Sequence, residues 1–78
     1  MTDYYSDGLE EIRNKIIDSL NKELPDKYKY KIQEFLNTEI NLNGRHAWLV
    51  LDELNNYSDW SPSSTLKKYI DDYCTYVF

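Results

Sequence analysis

The chain has 78 residues, room for one domain, and carries 14 acidic against 9 basic side chains for a formal charge of −5. A single cysteine excludes an internal disulfide and a single histidine makes a metal staple hard to assemble, so the fold has to rest on aliphatic and aromatic packing, for which eight Tyr, two Trp and two Phe are available. The acidic balance argues against direct nucleic-acid binding, which needs clustered Lys and Arg, and the longest apolar run, Ala47 to Leu51, is far short of the ~18 residues of a membrane span.

A first helix is expected over residues 7–24. Asp7 stands as its N-cap with Glu10 three residues on, and Leu9, Ile12, Ile16, Leu20 and Leu24 recur at helical spacing. Glu11–Lys15 and Asp18–Lys22 are acid-then-base pairs in the favourable i,i+4 order. Pro25 ends this helix by biasing Leu24 toward an extended backbone.

The spacing of Tyr28, Ile32, Phe35, Leu36 and Ile40 predicts a second helix over 26–40. Lys27, Lys29 and Lys31 crowd its start, where cations oppose the helix dipole, and Asp18 and Glu23 of an antiparallel neighbour are the expected compensation. Asn41 to Gly44 reads as a turn in which Gly44 supplies a positive φ. A third helix is expected over 45–57, with Ala47, Val50, Leu51 and Leu54 inward and Leu49 stranded on the polar side. Ser61 as N-cap with Pro62 at the first position opens a fourth helix, and Thr65 offers a slightly later start. Leu66, Tyr69, Ile70, Tyr73, Cys74 and Val77 form its apolar stripe. The resulting expectation is an all-α fold, a compact bundle of about four short helices spanning residues 1–78 as one domain.

Catalysis and metal binding find little support. Three and four residues from His46 stand Leu42, Asn43, Leu49 and Val50, none a usual zinc ligand, and Glu53 lies seven residues on, about 10.5 Å along a helix axis. Cys74 falls in an apolar stripe, which predicts a buried, inert thiol. The two glycines are isolated, so no phosphate loop is formed. Neighbouring carboxylates such as Asp52 and Glu53, or Asp71 and Asp72, point about 100° apart on a helix and do not make an acid–base pair. Neither a catalytic residue nor a metal or other cofactor is expected.

The remaining signal is a surface. Asp52, Glu53 and Asp59 come from the third helix and its exit, Asp71 and Asp72 from the fourth, and Tyr57 and Trp60 lie among them as aromatic anchors. Charge beside large aromatic side chains is the make-up of a protein-binding face, and an acidic face would steer a basic partner. Trp48 and Trp60 suit a core position or an interface alike.

One stretch also carries a likeness. Residues 32–57, with "FLNTEINLNG" closing one helix and "RHAWLVLDELNNY" forming the next, resemble small helical immunity proteins of bacterial toxin systems, of the MafI-like and contact-dependent-inhibition type. Arg45 stands where that group often has an acid. The resemblance implies a cytoplasmic, non-enzymatic protein that neutralises a cognate toxin domain, often a nuclease, by stoichiometric binding. It assigns no individual residue. Two other readings fit a small acidic chain: a phage-encoded inhibitor that mimics nucleic acid, and a regulatory helical domain that self-associates through Leu49, Tyr76 and Phe78.

Overall fold

Four helices account for the architecture of the computed structural model, which describes residues 4–78, with side chains from Gly8 onward. They are α1 (Tyr4–Glu23), α2 (Tyr30–Asn41), α3 (Gly44–Asp52) and α4 (Ser64–Val77), with short 3₁₀ turns at Asp26–Tyr28 and Glu53–Asn56. No strand occurs among the described residues, and the fold is a small all-α bundle. No helix among them is long and apolar enough to cross a membrane.

α2 packs on α3, α1 on α4, and α3 on α4, so α3 and α4 form the shared middle of the molecule. The core is built from the expected stripes: Ile16, Leu20 and Leu24 from α1 and its exit, Phe35 from α2, Ala47, Val50, Leu51 and Leu54 from α3 and the turn after it, and Leu66, Ile70 and Tyr73 from α4. Phe35 and Tyr73 meet edge to face at 5.3 Å between ring centroids. The Tyr73 hydroxyl, carried into the core with its ring, donates to Glu39, which is also held by Arg13 at 2.6 Å. Burial, and then the Glu39 contact, push the Tyr73 phenol far above its ordinary pKa. A buried hydroxyl thus finds an acceptor, as an apolar interior requires.

Several helix ends differ from the sequence expectation, each for a local reason. α1 begins by Tyr4, which puts Asp7 inside the helix instead of at its cap; the Asp7 side chain lies outside the described residues. The segment after Pro25 first makes a 3₁₀ turn, and α2 starts at Tyr30 with no side-chain cap. Ile40, expected inward, is 78% exposed at the end of α2. Gly44 does not have a positive φ. It is the first residue of α3, capped by Asn43, whose Oδ1 accepts the His46 N–H at 3.0 Å. The reason for glycine is close approach: Val77 of α4 occupies the space a Cβ on residue 44 would need.

The cap of α4 is Ser63, not Ser61 or Thr65: its Oγ accepts the Leu66 N–H at 3.1 Å. Ser63 is chosen because Glu23, at the end of α1, reaches across to it, accepting from the Ser63 N–H and the Ser63 Oγ at 2.8 Å each. Glu23 is therefore committed to α4 and does not compensate the lysines. Those are answered elsewhere: Lys27 by Asp59, Lys29 by Asp26 and the Asn21 carbonyl, and Lys31 by Glu34 and Glu53.

Candidate functional site

The antiparallel contact of α3 with α4 brings Asp52 and Asp71 to one groove. Both side chains are exposed, and with Trp48, Asn55, Lys67 and Ile70 they line a concavity of about 220 Å³. Asn55 donates to Asp52 at 3.4 Å. Trp48 is half-buried, edge-on to Phe78 at 5.3 Å, with its indole N–H buried and without an acceptor. An unanswered buried donor costs on the order of 1–3 kcal/mol, so Trp48 is held by packing alone. Asp72 is half-buried on α4, about 100° round the helix from Asp71.

The other residues named from the sequence sit in two separate arrangements. Asp59 forms an ion pair with Lys27 and accepts from the Tyr28 hydroxyl at 2.7 Å. Tyr28 stacks face to face on Tyr57, with ring centroids 3.9 Å apart and planes 5° from parallel, and Lys27 lies over the Tyr28 ring at 5.1 Å. This clamp ties the turn after α1 to the loop before α4. Hydrogen bonding to Lys27 and then to Tyr28 holds the Asp59 carboxyl below its ordinary pKa. The same hydrogen bond raises Lys27, and Tyr28 is raised by its bond to Asp59 and by burial. Burial and then the Tyr30 hydroxyl push Tyr57 up to about 12. Trp60 is half-buried against the core beside this clamp.

Glu53 is exposed but engaged, accepting from Lys31 at 2.8 Å. Lys31 is itself buried, and Glu34 is its second partner at 3.1 Å. Lys31 stands at helical spacing from Tyr28 and Phe35, but a lysine there reads as polar, and only its i,i+3 relation to Glu34 pointed to a partner in the sequence. No family model, curated protein or solved structure matches the chain. The groove must therefore be read from its own chemistry.

Two carboxylates and one ammonium group around an apolar floor of Trp48 and Ile70 suit a cationic side chain whose stem packs on the indole. Leu49, one residue from Trp48, is 50% exposed and adds apolar surface outside the core. His46 is exposed, with Nδ1 2.9 Å from Asn43 Oδ1, and Cys74 is half-buried where a buried thiol was expected. No group of three His, Cys, Asp or Glu side chains positioned to hold a metal occurs among the described residues.

Proposed function

We propose that this protein is a stoichiometric binding protein whose α3–α4 groove receives a basic segment of a protein partner. The observation that carries this reading is the convergence of exposed Asp52 and Asp71, from two different helices, on one concavity floored by Trp48 and Ile70. Asp71 and Asp52 have no ion-pair partner among the described residues, in contrast to Asp59 and Glu53, and so retain their attraction for an incoming cation. In combination with the likeness of residues 32–57 to helical immunity proteins, the partner is a cognate secreted toxin domain with a basic surface, of the nuclease kind, met in the cytoplasm. Inhibition then comes from coverage of the partner's surface, with no chemistry by this chain.

The test is co-expression with the product of the adjacent gene, followed by association kinetics. A complex that protects growth supports toxin neutralisation. Asp52→Lys combined with Asp71→Lys should slow association by about tenfold or more at low salt and flatten its salt dependence, because steering acts on the encounter rate. Both positions are exposed, so circular dichroism should be unchanged. An association rate at low salt equal to that of the unsubstituted protein would reject the groove as the docking face.

A further inference from the structure

The chain's two arginines, distant in sequence, meet at the opposite end of α3. Arg13 from α1 and Arg45 from α3 line a cavity of about 520 Å³ together with Leu9, Glu39, Ile40 and Val77. The one carboxylate among the described lining residues, Glu39, is already answered twice: Arg13 holds one oxygen at 2.6 Å and the Tyr73 hydroxyl donates to the other. Arg45 is held differently. Its Nε donates to the Val77 carbonyl at 3.1 Å and its guanidinium lies 5.6 Å from the centre of the Phe78 ring. Neither partner carries a negative charge, and no carboxylate among the described residues lies within ion-pair distance of Arg45. Among the described residues the cavity thus holds one guanidinium group, that of Arg45, without an acidic partner.

Both guanidinium groups are oriented before any ligand arrives, which lowers the ordering cost of binding. The walls are not uniformly polar. Leu9, Ile40 and Val77 supply an aliphatic side, and Ile40 is 78% exposed. An inorganic anion would satisfy the guanidinium groups and leave this apolar surface wet.

We propose that this cavity is a second docking site, for an acidic segment of a protein partner in which a carboxylate stands beside an aliphatic or aromatic side chain. Charge complementarity selects the carboxylate and the Leu9–Ile40–Val77 wall selects its neighbour. The site lies about 10 Å along α3 from Asp52 and prefers the opposite charge, so it stands or falls independently of the acidic groove.

The probe is an acetylated hexapeptide alternating Glu and Leu, titrated into the full-length, nitrogen-labelled protein, with the Gln–Leu peptide and sodium acetate as companions. The expected result is a saturable change in the Arg13 and Arg45 Nε–H and Gly44 N–H resonances with the Glu–Leu peptide alone. It should weaken about tenfold in Arg45→Gln, the loss of one charge-assisted contact. Equal binding of the Gln–Leu peptide would overturn the proposal, as would acetate binding as tightly as the acidic peptide, or no saturation at all. A concentration-dependent rise in mass that Arg45→Gln abolishes would also overturn it, by assigning the cavity to a second copy of the chain. The peptide series uses the unsubstituted protein, so the answer does not depend on the variant folding.

Discussion

Lys31 is the one charged side chain buried among the described residues, at 3% exposure, and its environment is asymmetric. The ammonium group is interior while Glu34 and Glu53, at 43% and 58% side-chain exposure, remain in contact with water. Burial works against its charge, yet the hydrogen bonds it donates to Glu53 and Glu34 outweigh that and leave its pKa above the ordinary lysine value. The two sides of this cluster should therefore respond differently to substitution. Lys31→Met removes the buried charge and fills the same space, leaving two carboxylates that water can solvate. It should be neutral or more stable, within about 1–4 kcal/mol. Glu34→Gln with Glu53→Gln leaves the ammonium group buried and uncompensated, and should cost about 3–5 kcal/mol. Urea denaturation of the two variants decides the matter, and equal stabilities would contradict the asymmetry. Since Glu53 belongs to this pair, it is a weaker candidate for an incoming cation than Asp52 or Asp71, whose carboxylates have no such commitment.

At the scale of the helices, periodicity was the readable part and close approach was not. Ala47, Val50, Leu51 and Leu54 were legible as one inward face because apolar side chains repeat where a 3.6-residue turn returns them. Ile40 satisfied the same spacing and is exposed, because α2 ends one residue later and no described residue covers its last turn. The convergence of Asp52 with Asp71 was legible only as a condition, that α3 and α4 be neighbours. The loss of Asp59 and Tyr57 to a clamp with Lys27 and Tyr28 depends on a three-dimensional contact that no local pattern announces. Glycine shows the same limit. Both Gly8 and Gly44 face side chains of α4 standing where a Cβ would go, yet the obstacles differ. At Gly8 the nearest atom is the hydroxyl end of Tyr76, a 43% exposed side chain that can swing into solvent. Gly8→Ala should be neutral or gain up to about 1 kcal/mol from helix propensity. At Gly44 the obstacle is the branched end of Val77, whose χ1 is stiff and whose Cβ is only 2.9 Å away. Gly44→Ala should cost about 1–3 kcal/mol as the start of α3 and the end of α4 move apart. Thermal denaturation of both variants should separate them; a Gly44→Ala protein as stable as Gly8→Ala would show that the last turn of α4 yields freely.

For the molecule as a whole, the titrating groups point to alkali as the weak side. Lys27, Tyr28, Lys31, Tyr57 and Tyr73 have pKa values raised in the folded protein, while that of Asp59 is lowered. The sign follows group by group. A raised group contributes stability that is complete below its unfolded pKa, about 10 for tyrosine and 10.4 for lysine, and is lost as the pH rises through the folded value. Asp59 contributes above its unfolded pKa of about 3.9 and loses that contribution as the pH falls through its lowered value. Stability should therefore be nearly flat between mild acid and about pH 9, decline modestly below the ordinary carboxylate range, and fall steeply above about pH 10. Added negative charge on a chain already at −5 works in the same direction. The observable is the tyrosinate absorbance followed together with helical circular dichroism. Tyr57, at about 12, and Tyr73, buried against Glu39, should stay protonated above the ordinary tyrosine range and titrate only as helicity disappears. All tyrosines ionising as a single class near pH 10, with helicity intact, would mean that the Tyr73–Glu39 contact and the Tyr28–Tyr57 stack do not hold the bundle together.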